Sequence, residues 1–104
     1  MLINKLVRDN IPDKIKDSGK IPIYQLINNK DEFIRLLKNK LQEEVTEYLE
    51  SNDVIELCDI IEVVYALIDI HGVYQMDFEN LRKNKSNSNG VFKRQVFLSD
   101  IVDK

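Results

Sequence analysis

The stretch from Val54 to Ile70 constrains the fold more than any other part of this chain. It is apolar at most positions, VIELCDIIEVVYALIDI. Apolar residues on nearly every side predict a helix that other parts of the protein cover. Yet carboxylates recur at every third residue within it, at Glu56, Asp59 and Glu62. The sequence therefore predicts acidic groups close to the protein core.

A second acidic stretch lies upstream, in a predicted helix from Asp31 to Leu49. Apolar residues at spacings of three and four form one face of this helix, at Ile34, Leu37, Leu41, Val45 and Tyr48. Glu43, Glu44 and Glu47 lie on neighbouring turns of the same helix. The break at SND (51–53) is so short that the two helices are predicted to be antiparallel neighbours. Their acidic faces would then meet.

The remaining segments predict a mainly α-helical bundle that forms one domain over residues 1–104. A short helix is expected at 10–17, and NNKD is expected to supply the N-cap of the 31–49 helix. A third helix is expected at 75–85. We expect Ser51 or Asn52 to cap the central helix.

Two stretches outside the predicted helices are expected to be extended. IPIYQLI (21–27) is short and rich in β-branched residues, which predicts an extended segment or an edge strand. VFKRQVFL (91–98) alternates enough to predict a short strand, and SNSNG (86–90) predicts a polar loop before it.

Composition excludes several classes of function. The chain has 104 residues and a net charge of −3, which argues against binding duplex nucleic acid through a basic surface. The N-terminus lacks the apolar core of a signal peptide, and acids interrupt the longest apolar run, so we expect a soluble cytoplasmic protein without a membrane span. Cys58 is the single cysteine and is expected to be a buried structural thiol.

The acidic residues need counter-charges if they lie near the core. Carboxylates that are partly removed from water cost several kcal/mol each unless they are protonated or paired. Residues 41–81 contain no lysine or arginine. A hard divalent cation, Mg²⁺ or Mn²⁺, is the economical partner for oxygen ligands. The alternative is a solvated acidic helix face without a ligand.

Three motifs resemble a known family. EEVTE (43–47) followed by ELCD (56–59) resembles the E-E-x-x-E…E-x-x-D signature of the MazG-like, all-α nucleoside triphosphate pyrophosphatases. KLVRDNIPDKI (5–15) is similar to the opening of the phosphoribosyl-ATP pyrophosphohydrolase-like branch. KSNSNGVF (85–92) is similar to its closing K-x-x-x-R-G-G-F element, but Asn89 replaces the arginine and Val91 the second glycine. The resemblance spans about residues 3–98.

The resemblance implies Mg²⁺-dependent hydrolysis of a nucleoside triphosphate or related nucleotide between the α and β phosphates. The products would be a monophosphate and pyrophosphate. Whether the substrate is a canonical or a noncanonical nucleotide, as in house-cleaning enzymes, stays open. The metal-ligand positions of the family fall on Glu44, Glu47, Glu56 and Asp59.

Other roles are expected from residues beside these ligands. We expect Glu43 or Glu47 to accept the proton of the attacking water. The phosphate-binding candidates are Lys40, Lys85 and Arg8. A homodimer or higher even homo-oligomer is expected, because so apolar a central helix in a small domain would gain from a partner.

Two other functions stay open from the sequence. The departures at Asn89 and Val91 motivate a nucleotide-binding or regulatory module with weak catalysis, since the missing arginine would have donated two hydrogen bonds to a phosphate. The second alternative is a structural helical dimer whose acids only affect solubility.

Overall fold

Four α-helices make up all the regular secondary structure of residues 2–104, the part of the chain that the computed structural model describes. They are α1 (Ile11–Asp17), α2 (Lys30–Ser51), α3 (Ile55–Ile70) and α4 (Gln75–Asn89). The predicted mainly α-helical fold is confirmed. None of the helices within these residues is both long enough and apolar enough to cross a membrane.

Local hydrogen bonds explain where α2 begins and ends. The Asn29 side chain accepts a hydrogen bond from the Glu32 N–H at 2.9 Å, which is an N-cap. At the other end Asn52 adopts the left-handed conformation, φ 56°, and its N–H donates to the Tyr48 carbonyl at 2.8 Å. Asparagine is one of the few residues other than glycine that tolerates this conformation. Asn52 therefore ends α2.

The start of α3 differs from the prediction. Neither Ser51 nor Asn52 caps this helix; the Asp53 carboxylate instead accepts a hydrogen bond from the Ile55 N–H at 3.0 Å. Ser51 accepts one from the Asp53 N–H at 3.1 Å and so stabilises the turn. The prediction was wrong because α2 continues two residues beyond Leu49 and uses both candidates in its own C-terminal turn.

The core lies between α2 and α3, which form the main helix–helix contact, whereas α3 and α4 share a smaller one. Among residues 2–104, the buried apolar side chains are Leu37 of α2 and Val63 and Ile68 of α3. The remaining buried residue in that range is Glu44, which is 6% exposed. A carboxylate therefore takes one of the few core positions.

The C-terminal part of the chain departs from two predictions. Residues 86–89, expected to be a loop, continue α4 up to Gly90, whose φ of 83° ends the helix. The strand expected at 91–98 is absent, and the described residues give the 21–27 segment no strand partner either. A segment with an alternating pattern does not form a strand by itself, because its backbone N–H and C=O groups need a second strand as hydrogen-bond partner.

The chain is elongated and leaves much apolar surface exposed. Its radius of gyration is 18.6 Å, against about 13 Å for a compact chain of this length. Its accessible surface is 9793 Å², against about 6,100 Å² for a compact protein of this mass. Part of the excess comes from the ends of the chain, and the rest includes apolar helix surface.

One such surface runs along α3, and we call it the α3 stripe: Val54, Leu57, Cys58, Ile61 and Tyr65, all exposed. A shallow groove of about 340 Å³ lies along its first turns. The prediction that Cys58 is buried was wrong for the single chain. The apolar pattern predicted that other parts of the protein would cover nearly every side of α3, but neither α2 nor α4 packs on the side that carries the α3 stripe.

Candidate metal site between α2 and α3

Five carboxylates converge where α2 packs against α3. Carboxylate oxygens of Glu43, Glu44 and Glu47 lie within 4.8 Å of one another, and we call this group the α2 triad. Oxygens of Glu44, Glu56 and Asp59 satisfy the same limit and form the interhelix triad. Glu44 belongs to both triads. The structure thus brings together all five acids that the sequence proposed as metal ligands or as the general base.

Glu44 is the least solvated member of the site. The Lys40 ammonium, one helical turn away, lies 3.1 Å from Glu44 Oε1. Oε2 is buried and has no hydrogen-bond partner among residues 2–104. Burial raises the pKa of the Glu44 carboxyl, and the nearby Glu47 adds to this, while Lys40 opposes it. One buried oxygen of a carboxylate is therefore left without a partner.

Glu43 is held between two lysines. The Lys5 ammonium lies 2.7 Å from Oε1, and the Lys40 ammonium lies 3.4 Å from Oε2. The hydrogen bond from Lys5 is the main reason that the pKa of the Glu43 carboxyl is lowered, and it raises the pKa of Lys5. Glu43 is thus a stabilised anion, in contrast to Glu44.

Arg8 contacts the α3 side of the site. One guanidinium nitrogen, Nη1, lies 3.3 Å from Asp59 Oδ1, and the other, Nη2, lies 3.6 Å from Glu62 Oε1. The Arg8 side chain is more than half exposed. Residues 4–10, which we call the N-terminal segment, therefore place one cation on each triad.

The start of α1 and a local turn fix the course of the N-terminal segment. Pro12 occupies the first turn of α1, where no backbone N–H is needed, and the Ile11 N–H donates to the Arg8 carbonyl at 3.0 Å. Asn4 adopts a left-handed conformation with φ 51°. Between this segment and α2 lies a recess of about 60 Å³, lined by Asn4, Lys5, Leu6, Leu36, Asn39, Lys40 and Glu43.

The predicted phosphate-binding residues have different surroundings. Lys40 and Arg8 both contact carboxylates of the site. Lys85 is exposed on α4 and forms no ion pair with an acid in the described part of the chain. Val91 does not adopt a positive φ, unlike Gly90 before it.

Sequence reasoning missed Lys5 and the pairing that it provides. The expectation that the acids lack basic partners was wrong, because it considered only residues 41–81. The partners all lie before that range, at Lys5, Arg8 and Lys40. Lys5 and Arg8 both belong to the KLVRD motif, which was the feature of the sequence that could have indicated their pairing with the acids.

The donor set fits a hard divalent cation. The two triads offer carboxylate oxygens alone, which Mg²⁺ and Mn²⁺ prefer, and no thiolate or imidazole. The unpartnered Oε2 of Glu44 supplies an independent indication, since a buried carboxylate oxygen without a partner is costly. A cation here would be the missing partner.

The chain matches no model of a known protein family, no curated protein and no solved structure.

Proposed function

We propose that this protein is a Mg²⁺-dependent nucleotide pyrophosphohydrolase of the MazG-like type, with Mn²⁺ as an alternative metal. It would cleave a nucleoside triphosphate or related nucleotide between the α and β phosphates. The buried, unpartnered Oε2 of Glu44, shared by two carboxylate triads, carries the proposal. The motifs EEVTE, ELCD and KLVRD add the resemblance that specifies the reaction.

Cation binding explains why the core contains a carboxylate. Lys5 and Lys40 neutralise only part of the α2 triad, because they bring two positive charges to three acids. In the interhelix triad, Arg8 contacts Asp59 but not Glu44 or Glu56. Surplus negative charge thus remains where Glu44 is buried. Residues Glu44, Glu47, Glu56 and Asp59 would hold the metal, and the metal would supply charge neutralisation for the phosphates.

Glu47 is the better candidate for the general base. Glu43 forms ion pairs with two lysines, which lower its pKa and make it a weaker proton acceptor. Glu47 forms no ion pair among residues 2–104 and is only partly buried, so water reaches it. We therefore assign the proton transfer from the attacking water to Glu47, which would give up its place as a metal ligand in order to accept the proton.

Substrate binding would use the cations that surround the triads. Arg8 presents a planar guanidinium on the exposed side of the site, a geometry suited to two phosphate oxygens. Lys40 lies deeper and contacts both Glu43 and Glu44. Lys85 would contribute only if α4 of this chain, or of a second copy, approached the nucleotide.

We also propose that the protein works as a homodimer or higher even homo-oligomer through the α3 stripe. The stripe is apolar and exposed, and α3 carries two members of the interhelix triad on its other side. A permanent dimer buries about 2,000–5,000 Å² in total, so each copy would bury about 1,000–2,500 Å², which is less than the excess accessible surface of the single chain. A second copy would cover the stripe without blocking the acids.

The test is pyrophosphate release from a panel of canonical and noncanonical nucleoside triphosphates with Mg²⁺. We expect turnover of at least one nucleotide, abolished by EDTA. Glu56→Gln should lower kcat by about 100-fold or more, since it removes a metal ligand, whereas Glu50→Gln, an exposed acid of α2, should have no effect. Nucleotide binding without turnover would favour the noncatalytic module. If Mg²⁺ neither binds nor changes any property of the protein, the proposal fails.

A further inference from the structure

Lys5 and Lys40 approach the same carboxylate from different parts of the chain. Lys5 comes from the N-terminal segment and contacts Glu43 Oε1 at 2.7 Å, whereas Lys40 comes from α2 and contacts Oε2 at 3.4 Å. Both lysines line the recess of about 60 Å³ between these elements. Two ammonium groups from separate segments therefore converge on one oxyanion.

This arrangement is also suited to a phosphate group. A carboxylate and a phosphate both present several acceptor oxygens with negative charge, and lysine binds either as a point charge with three donors. The recess has the volume of about two water molecules. Asn39, on α2, adds an amide to its lining. An anion larger than the carboxylate could extend from the two lysines into this space.

Glu43 has a second group of neighbours. One of its carboxylate oxygens belongs to the α2 triad and lies within 4.8 Å of an oxygen of Glu44 and of Glu47. Without a cation, these acids repel Glu43, and the two lysines hold it. A cation bound to the triad would turn this repulsion into an attraction, and Glu43 would then have a partner other than the lysines.

We propose that Lys5 and Lys40 form a phosphate subsite, which Glu43 fills in the metal-free protein and leaves when a divalent cation binds. The metal-dependent part of this inference rests on the proposed function, since it needs the cation on the α2 triad. The ligand is a phosphate group of the nucleotide or of its products. Cation and phosphate would then bind with positive coupling, because each favours the same position of Glu43.

Binding of inorganic pyrophosphate without metal tests the subsite by titration calorimetry. Glu43→Gln keeps the size of the side chain but removes the competing charge, so it should increase pyrophosphate affinity about tenfold. Adding Lys5→Ala should abolish the gain, whereas Lys5→Arg should retain most of it. Lys14→Ala, an exposed lysine of α1, is the matched control and should have no effect. Circular dichroism melts establish that each variant is folded.

A nucleoside monophosphate in a parallel titration identifies which half of the substrate the subsite binds. A Lys5-dependent gain for pyrophosphate alone assigns the leaving group, and a gain for the monophosphate alone assigns the α phosphate. Equal affinity of wild type and Glu43→Gln for both ligands overturns the subsite. A gain in affinity from Glu43→Gln that persists when Lys5→Ala is added also overturns the subsite.

Mn²⁺ binding to the wild-type protein, followed by electron paramagnetic resonance, separates this inference from the proposed function. Absence of Mn²⁺ binding would contradict the proposed function and the metal-driven release of Glu43. Mn²⁺ binding without any Lys5-dependent pyrophosphate affinity would overturn the subsite alone. We expect both Mn²⁺ binding and Lys5-dependent pyrophosphate affinity, with tighter pyrophosphate binding when Mn²⁺ is present.

Discussion

Lys40 and Glu44 are one helical turn apart on α2, and the Lys40 ammonium lies 3.1 Å from one Glu44 oxygen while the other oxygen is buried and unpartnered. The order of the two residues is the less favourable one for a helix, in which glutamate preferably precedes lysine. The pair therefore contributes little to helix stability. Its position is better explained by the proposed cation site between α2 and α3.

The raised pKa of Glu44 predicts how stability depends on pH without divalent ions. The folded state holds the Glu44 proton more tightly than the unfolded state does. The Glu44 contribution to stability is therefore present below the ordinary carboxyl pKa and is lost as the pH rises through the raised one. Thermal melts across this range should show a decline that Glu44→Gln removes.

Magnesium should reverse this decline. In the proposed site the ion would bind the ionised carboxylate, so Mg²⁺ should raise the Tm of the wild type more at neutral pH than at acidic pH. Glu43 contributes in the opposite direction, since its lowered pKa makes its stabilisation disappear as the pH falls. The comparison with Glu44→Gln isolates the Glu44 part, and identical pH profiles of the two proteins would contradict the prediction.

Leu37→Ala should be strongly destabilising. Leu37 is 5% exposed and is the one buried apolar residue that α2 contributes among the described residues. Truncating it leaves a cavity next to α3 and should lower the free energy of unfolding by about 2–3 kcal/mol. Urea unfolding measures the change. Leu49→Ala, on the same helix but 68% exposed, is the matched control, and a comparable loss there would show that the core lies elsewhere.

Asn29→Ala should destabilise α2 through the loss of its cap. The Asn29 side chain satisfies the Glu32 N–H, which has no other partner in the first turn. We expect a loss of about 1 kcal/mol in the free energy of unfolding, measured by urea titration. Asn28→Ala removes the same amide one residue earlier, before the cap position, and should be nearly neutral. If both substitutions cost the same, the cap is not the cause.

Ile61→Lys should weaken self-association. Ile61 lies in the middle of the α3 stripe and is 46% exposed in the single chain. A charge there would be buried in the proposed dimer, which is costly without a partner. Sedimentation equilibrium should show a dimer or larger assembly for the wild type and a shift toward the monomer for the variant. Ile23→Lys, at a residue that is 97% exposed outside the helices, should leave the assembly unchanged.

The helices could be predicted from the sequence because their signals are local. Apolar spacing, the asparagine before α2 and the His71-Gly72 end of α3 are properties of neighbouring residues, and the observed bounds follow them to within two residues, except at the end of α4. The grouping of Glu43, Glu44 and Glu47 followed from the helix period, since residues three or four apart share a helix face. The approach of Glu56 and Asp59 followed from the short connection at 51–53, which makes α2 and α3 neighbours.

Apart from the cap of α3 and the end of α4, the errors concern interactions between distant parts of the chain. Lys5 and Glu43 are 38 residues apart, and no periodicity shows that they meet. The strand expected at 91–98 needed a partner that its own sequence could not supply. Cys58 was expected to be buried because α3 is apolar, but burial depends on whether another surface covers that side. In each case the missing information was tertiary or quaternary.

The membership of Glu44 in both triads has a mechanical consequence. An ion bound to the α2 triad would be coordinated by Glu44, which also belongs to the interhelix triad. Binding at one triad would therefore change the geometry of the other. A bound ion would therefore fix the distance between α2 and α3. Amide hydrogen exchange along α2 and α3 should slow together when Mg²⁺ is added, even in turns that contribute no ligand.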